Sequence, residues 1–330
     1  LYKGALPSNY GGRIASILDV RMKEGNAKDL EVSGGIGLPV FSRLAVQGPI
    51  AKDKASFLVA GRRSYIDIFA KPFTNDATLY FYDLTTKINY NINPKNRIFL
   101  SGYFGRDVFK FDENQGFDWG NITTTLRWNH IFNSRLFANF TGYFSNFDYG
   151  FSFGENENDK FDWDSRIITY SFKPTLTYFI NPQNELIFGG ELNYNDFKPA
   201  EAVGVSDGIT QDISLDDKRA IEGAIYIDNS QKVTSRLEFR YGLRYSFFHY
   251  IGPGNVWEYF PAEVPGERRL PDFENSYTAE SGELIQAYQN LEPRASFKYE
   301  FKNSSIKASY ARTAQYIHLI SNTAAPTPID

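Results

Sequence analysis

Connections of alternating length constrain what this chain can fold into more than any single motif does. From residue 50 onward, segments in which apolar and polar residues alternate are joined by short polar turns near 51–54, 93–96, 132–134, 181–184, 231–235 and 302–305. Much longer connections stand between these turns, near 64–79, 105–118, 148–165, 197–217 and 251–286. Because successive antiparallel strands place odd and even connections at opposite ends of a sheet, one end carries every long connection.

The alternating segments predict about thirteen β-strands. They lie at 30–38, 44–48, 55–63, 82–92, 97–105, 119–131, 135–147, 166–180, 185–196, 218–230, 236–250, 287–301 and 305–315. A tilted strand needs roughly nine to eleven residues to cross a bilayer, and most of these segments are long enough. We therefore predict an all-β fold, a transmembrane antiparallel β-barrel with short periplasmic turns and long extracellular loops. Since single-chain bacterial barrels have even strand numbers, we expect this barrel to be unclosed.

Composition is compatible with such a barrel and excludes several other classes. Aromatic residues make up 17% of the 330 residues, yet the mean hydropathy is -0.41 and no apolar run is long enough for a transmembrane helix. A barrel tolerates this balance because only every second strand residue faces lipid. The absence of cysteine removes disulfides and thiolate chemistry. A net charge of -4 argues against a nucleic-acid partner.

Residues 1–26 differ from the repeating strands that follow. The glycine pair in Tyr10-Gly11-Gly12-Arg13 predicts a turn that needs a positive φ or close packing. Leu18, Val20 and Met22 then alternate with polar residues, which predicts a short strand over 17–22.

These segments resemble the end of the plug domain and the first part of the barrel in TonB-dependent outer-membrane receptors. Tyr10–Arg13 followed by Ser16–Gly25 resembles the last plug strand, which leads directly into the barrel. The segments that resemble barrel strands of one branch of that family are Gln47–Ile50, Ser56–Tyr65, Leu291–Arg294, Ile306–Tyr310 and Gln315–Leu319. The resemblance covers the whole chain, and the order of the motifs strengthens it.

The resemblance implies a domain division and a function. Residues 1–26 would end a plug, and residues 27–330 would begin a barrel of about 22 strands. The rest of the plug would precede Leu1, including the segment that engages the inner-membrane protein TonB, and further strands would follow Asp330. The implied function is energy-coupled import of a scarce nutrient, such as a ferric siderophore, cobalamin or an oligosaccharide. A surface lipoprotein partner is left open.

Two other functions are compatible with parts of the pattern. A passive porin or an adhesin would share every strand feature, but it has no reason to feed a glycine-rich segment into its first strand. A soluble β-protein, such as a glycan-binding sandwich, is disfavoured because strands of globular proteins are usually five or six residues long.

Candidate ligand-binding residues are aromatic and lie in or beside the long connections. They are Trp119, Trp163, Trp257 and Tyr259. Such side chains stack on sugars or aromatic chelators, or they belong to the interfacial girdle of a barrel. Arg62 and Arg63 end a strand, so one of them faces the lumen, where it could contact plug or ligand, and the other faces the rim.

Metal binding and catalysis find little support in the sequence. Glu155, Glu157 and Asp159 have part of the spacing of a calcium loop but lack its central glycine and its distant glutamate, which favours a solvated loop. The three histidines, His130, His249 and His318, lack metal-ligand spacing. We therefore expect no metal, no cofactor and no enzymatic activity.

Overall fold

The computed structural model describes residues 6–14, 16–37, 41–70, 77–112, 114–156, 158–206, 208–260 and 273–317. One antiparallel sheet of 14 strands dominates these residues. The strands of the chain are β1 (Glu31–Gly37), β2 (Phe41–Ala51), β3 (Ala55–Ser64), β4 (Thr78–Asn93), β5 (Asn96–Lys110), β6 (Gly116–Ile131), β7 (Leu136–Asn156), β8 (Asp159–Asn181), β9 (Asn184–Ser206), β10 (Ile209–Ser214), β11 (Lys218–Lys232), β12 (Leu237–Ile251), β13 (Gly254–Tyr259), β14 (Phe273–Ala279), β15 (Leu284–Glu300) and β16 (Ser305–Ala311). A five-residue helix, α1 (Ile66–Ala70), lies between β3 and β4.

The order of the strands in the sheet follows their order along the chain. The path runs from β1 to β9 and continues through β11, β12, β15 and β16, with β10 paired to β9. The thirteen strands of this path correspond to the thirteen predicted segments. Because β1 and β16 lie at opposite ends of the path, the described sheet is not closed into a barrel. The predicted fold class is confirmed.

Short turns join the strands at one end of the sheet, as predicted. Asparagine begins three of these turns, and its side-chain oxygen accepts a hydrogen bond from the backbone N–H two residues later. The bonds run from Lys95 to Asn93, from Arg135 to Asn133 and from Gln183 to Asn181, each at 2.9 Å. This local bond is the reason that asparagine favours turns. We call this the turn end and the opposite end the outer end.

Three of the predicted long connections at the outer end, near 105–118, 148–165 and 197–217, are largely paired strand, which corrects the sequence-based prediction for them. β7 has 21 residues, β8 and β9 have 23 each, and β7 is paired with β8 almost to their shared turn. Aspartate and glycine in these stretches are typical of loops. Strand propensity depends strongly on the neighbouring strands, however, and a continuous ladder overrides it here.

The predicted strand over 17–22 is also wrong in detail. Ile17 forms an isolated bridge, and residues 18–22 join no ladder among the described residues. An alternating pattern shows that such a segment would have one apolar and one polar face as a strand. It does not show whether a neighbouring strand is present to pair with its backbone groups.

The two faces of the sheet have opposite polarity over most of their height. One face, here called the inner face, is contacted by residues 7–12 and 22–24. It carries buried polar side chains such as Lys87 and Asn89. The other, the outer face, exposes large apolar residues such as Leu84, Leu126 (53% exposed) and Ile225. An apolar belt with a polar interior is the pattern of a barrel in lipid.

No helix among the described residues is long and apolar enough to cross a membrane.

Candidate functional site

The backbone of residues 7–10 is held to the inner face by positively charged side chains of the sheet. Arg294 on β15 donates from Nη1 to the carbonyl oxygens of Pro7 (2.7 Å) and Tyr10 (2.6 Å). Lys173 on β8 donates from Nζ to the carbonyl oxygen of Asn9 (2.7 Å) and lies 5.4 Å from the Tyr10 ring centre. Strands β8 and β15 therefore bind one short segment together.

A carboxylate on the neighbouring strand completes this attachment. Asp228 on β11 accepts a hydrogen bond from the backbone N–H of Ser8 (2.8 Å). Its other oxygen accepts from Nε of Arg240 at 2.6 Å. Both a donor and several acceptors of the segment are thus satisfied by the sheet, as buried backbone groups require.

The cations that hold the segment are themselves paired with buried carboxylates. Glu292 on β15 is fully buried and accepts from Arg294 (2.7 Å) and from Ser246 (2.6 Å). Arg244 on β12 lies 3.3 Å from Glu191 and 3.9 Å from Glu292. A buried charge is tolerated only with such partners, so these residues form one interdependent network.

The glycine pair fits this network in two different ways. Gly11 lies against the guanidinium of Arg244, and a Cβ atom there would collide with it. Gly12 has a φ of 72°, and a Cβ atom there would lie 2.9 Å from Glu222. Arg13 is exposed and donates to the carbonyl oxygen of Gly12 (2.6 Å). The structure therefore shows both requirements that the sequence predicted as alternatives for the pair, a positive φ and close packing.

The other end of the N-terminal segment is attached to β4 and β5. Lys87 donates from Nζ to the carbonyl oxygen of Met22 (2.9 Å), and Arg97 pairs with Glu24 at 2.5 Å. Residues 7–24 thus reach from β15 and β12 to β4 and β5. An unbroken row of directly opposite residues, one on each intervening strand, connects Arg97 on β5 with Arg244 on β12. Because directly opposite residues lie on the same face of a sheet, both attachments are on the inner face.

Arg62 and Arg63 take opposite faces, as alternation requires. Arg62 stands opposite Asp83 in the register, pairs with it, and lies on the inner face. Arg63 on the outer face pairs with Asp67 at 2.8 Å and lies 5.4 Å from the Tyr80 ring centre. Among the described residues, Arg62 forms its ion pair with Asp83 on β4 and not with a residue of the segment 7–24.

Trp119 and Trp163 belong to an array of rings on the inner face near the outer end. One row crosses four neighbouring strands with directly opposite residues, and a second row lies beside it. We call this array the aromatic wall, and its members are Phe109, Phe117, Phe151 and Trp163 in the first row and Trp119 and Tyr149 in the second. The alternation places these two tryptophans inward, which corrects the girdle interpretation for them.

Rings within the wall are packed against one another. Phe109 and Phe117 have centroids 5.1 Å apart, and Phe117 stacks on Trp119 at 5.8 Å with an angle of 12° between their planes. Trp163 is only 4% exposed, stacks on Phe151, and donates from its indole N–H to the Ser165 hydroxyl (2.9 Å).

Trp257 and Tyr259 lie elsewhere, on β13. This strand pairs only with β14, in a separate two-stranded sheet within the connection from β12 to β15. Both rings are about half exposed. The structure therefore does not bring them into the aromatic wall.

Metal-binding groups are not found in the described part of the chain. No cluster of three or more histidine, aspartate or glutamate side chains there could hold an ion. Glu157 and His318 lie outside the described residues. At the turn end, His130 donates from Nδ1 to the side-chain oxygen of Asn96 (2.7 Å).

Solved structures with the same fold are outer-membrane receptors. The copper transporter OprC has a TM-score of 0.69 at 10% identity, over 99% of this chain and 53% of OprC. BauA, the ferric preacinetobactin receptor of Acinetobacter baumannii, has a TM-score of 0.66 at 9% identity, over 98% of this chain and 54% of BauA. Fiu, the ferric-catecholate import receptor of E. coli K12, has a TM-score of 0.62 at 14% identity, over 95% of this chain and 59% of Fiu.

This chain has the fold of the barrel of TonB-dependent receptors. It spans about half the length of the solved structures that it matches. Those proteins are transport receptors rather than enzymes. No protein-family model and no curated protein matches the chain.

Sequence reasoning missed the charged network that holds residues 7–10. Its members are Lys173, Glu191, Asp228, Arg244, Glu292 and Arg294. A usable signal was present, because each is a charge on the polar side of a strand whose other side is apolar. Alternation could therefore place these residues inward, but it could not show which of them meet.

Proposed function

We propose that this chain is part of an energy-coupled receptor in the outer membrane of a Gram-negative bacterium. The receptor binds a scarce nutrient at the outer end of its barrel and imports it with energy transmitted by TonB. Residues 1–26 form the end of the plug, and residues 27–330 form the first part of the barrel. Lipid surrounds the apolar belt, and a surface lipoprotein is a further partner to be tested.

The attachment of residues 7–10 to the inner face carries this proposal. A barrel of about 22 strands encloses a lumen too wide for its own side chains to fill, and a plug prevents leakage. Arg294, Lys173 and Asp228 bind backbone groups of a segment that lies across that lumen wall. An open pore has no use for such an attachment, which disfavours the porin and adhesin alternatives.

Energy dependence of uptake tests the proposal in cells that carry the full-length protein. Uptake of labelled ferric siderophores, cobalamin and oligosaccharides is compared between wild type and a strain lacking the gene. Each assay is repeated with a protonophore and in a strain lacking TonB. We expect uptake of one substrate class to require the gene, the proton gradient and TonB together.

Passive flow would contradict the proposal. If substrates enter in proportion to their concentration, with no effect of the protonophore or of TonB, the protein is a porin. If the gene affects surface attachment and no uptake, it is an adhesin.

A further inference from the structure

The outer face of β8 and β9 changes from apolar to charged toward the outer end. On β8, Phe172 and Tyr170 face outward, and Arg166 stands further along the same face. On β9, Tyr194 stands opposite Tyr170 with their ring centroids 6.5 Å apart, and Lys198 stands opposite Arg166. Tyrosines are typical of the boundary between the hydrocarbon core and the lipid headgroups. The two cations beyond them therefore lie at the level of the headgroups.

A row of directly opposite residues crosses the outer face at this level, from β3 to β9. Four of its side chains are positively charged and one is a carboxylate. These charged members are Arg63, Arg106, Asp148, Arg166 and Lys198. The chain as a whole has a net charge of -4, so positive charge is concentrated here against the overall balance. Because charges facing the hydrocarbon core are costly, the row marks where the lipid-facing belt ends.

The first two cations of the row are neutralised by the chain itself. Arg63 pairs with Asp67 at 2.8 Å. Arg106 pairs with Asp118 and, at 2.9 Å, with Asp148. Neither arginine therefore needs an external anion.

Arg166 and Lys198 differ from these two. Within the described part of the chain, neither side chain has an ion-pair or hydrogen-bond partner. Asp148 stands opposite Arg166 but is engaged with Arg106, and a register shift separates the pair from the next outward-facing carboxylates. Like charges that stand directly opposite on a sheet repel each other and destabilise it. An anion bound between the two cations would remove this repulsion.

The backbone beside the pair is held in place by side-chain hydrogen bonds. Pro199 follows Lys198, and its carbonyl oxygen accepts from the hydroxyl of Ser165, which precedes Arg166. The same hydroxyl accepts from the indole N–H of Trp163 (2.9 Å), and both of these side chains are buried. The two cations therefore project from a fixed stretch of backbone, and binding requires little further ordering of it.

The charge and the position of the pair indicate the ligand. A guanidinium group binds phosphate with two parallel hydrogen bonds, and an ammonium group binds it as a point charge. Lipid headgroups supply phosphate at this level of a membrane. A free phosphate ion would use the two charges alone, whereas a lipid also uses the apolar face at Tyr170 and Phe172. The continuity of the pair with the lipid-facing belt therefore favours the lipid.

We propose that Arg166 and Lys198 bind the phosphate group of a lipid in the outer leaflet of the membrane. The acyl chains of that lipid pack on the apolar outer face of β8 and β9, at Tyr170, Phe172 and Leu192. This inference rests on the membrane location in the proposed function, and it adds a lipid site on the outside of the sheet. It does not depend on the identity of the imported nutrient.

Lipid binding to the purified full-length receptor in an uncharged detergent tests the inference. The probes are dioleoylphosphatidic acid and dioleoylglycerol, which has the same acyl chains but no phosphate. Native mass spectrometry counts the bound lipids and gives their dissociation constants. We expect phosphatidic acid to bind more tightly than dioleoylglycerol. Arg166→Gln combined with Lys198→Gln should weaken its tightest site by about thirtyfold, because two positive charges are lost.

A matched control removes the same charge at the opposite end of the sheet. Lys52 and Lys54 lie exposed in the turn between β2 and β3, so Lys52→Gln combined with Lys54→Gln should leave binding unchanged. Thermal unfolding gives a second readout, since a ligand of the folded state raises the unfolding temperature. Phosphatidic acid should stabilise wild type and the control more than the variant at Arg166 and Lys198. In detergent alone that variant should be at least as stable as wild type, because the repulsion is gone.

Four outcomes would overturn the inference. Dioleoylglycerol binds as tightly as phosphatidic acid, or the variant at Arg166 and Lys198 keeps its affinity, or the control loses as much affinity. Complete displacement of the lipid by an equal concentration of inorganic phosphate would assign the pair to a free anion. Energy-dependent uptake without phosphatidic acid binding leaves the proposed function standing and removes the lipid site. Lipid binding without energy-dependent uptake does the reverse.

Discussion

Arg294 shows how one side chain joins the sheet to the N-terminal segment. Its guanidinium reaches two carbonyl oxygens of that segment and the fully buried carboxylate of Glu292. Breaking a buried pair leaves an uncompensated charge, which is more costly than the pair is stabilising. We expect the contacts of Arg294 to decide whether residues 7–10 stay on the inner face.

Arg294→Gln should loosen the segment and destabilise the protein by about 3–5 kcal/mol, because Glu292 loses its closest cation. Hydrogen exchange of residues 6–14 measures the loosening, and thermal unfolding measures the loss. Lys298→Gln is the control on the same strand, since Lys298 pairs with the exposed Glu300. Equal protection of residues 6–14 in both variants would count against the attachment.

Asp164 predicts a dependence of stability on pH. It lies on the outer face beyond the apolar belt and is exposed, yet partial desolvation raises its pKa, with repulsion from Asp118, Asp162 and Glu201 adding to the rise and Arg106 opposing it. The folded protein therefore holds this proton more tightly than the unfolded chain. Between the ordinary aspartate pKa, about 4, and the raised value, stability falls as pH rises.

Asp164→Asn removes this penalty. We expect the variant to unfold at a higher temperature than wild type at pH 7, and the difference to disappear below about pH 4, where both states are protonated. Thermal unfolding over a series of pH values measures it. A difference that is constant over the whole series, or a less stable variant, would contradict the assignment.

Strand β6 shows how one element presents different chemistry at its two ends. Trp128 lies at the turn end on the outer face, where it fits an interfacial girdle, and Trp119 lies at the outer end on the inner face. The periodicity of the sequence predicted this strand, but the predicted start at 119 lies three residues after the observed start at Gly116. The delay has a physical cause, because the apolar residues change face near Gly120 and a search for one continuous apolar face stops there.

The lipid-facing side of β6 should tolerate charge poorly. Leu126→Lys places a charge in the middle of the apolar belt and should cost about 2–4 kcal/mol, whereas Thr123→Lys places it on the polar inner face at little cost. Urea unfolding in phospholipid vesicles measures both variants. Equal losses would mean that the outer face does not contact lipid.

For the whole molecule, the proposed transport function requires the N-terminal segment to separate from the inner face of the sheet. The chain has no cysteine, so Asn9→Cys with Lys173→Cys introduces a single pair that a short bismaleimide can join. We expect the cross-linked protein to bind ligand and to lose energy-dependent uptake, with both single variants, treated in the same way, retaining it. Undiminished uptake after complete cross-linking would show that the segment stays on the inner face during transport.

Strand number, strand order and the identity of the turn end follow from local sequence. Short turns such as Asn93–Asn96 force neighbouring segments to pair, and alternation assigns each residue to a face, so neither property needs distant information. The contacts of Lys173 with Asn9, and of Arg294 with Pro7, join residues far apart in the chain. They depend on strand register and on where the N-terminal segment lies. The aromatic wall depends on the register of four strands. Such contacts exist only once the sheet has formed, because strand pairing brings together side chains that are far apart in the sequence and have no characteristic spacing.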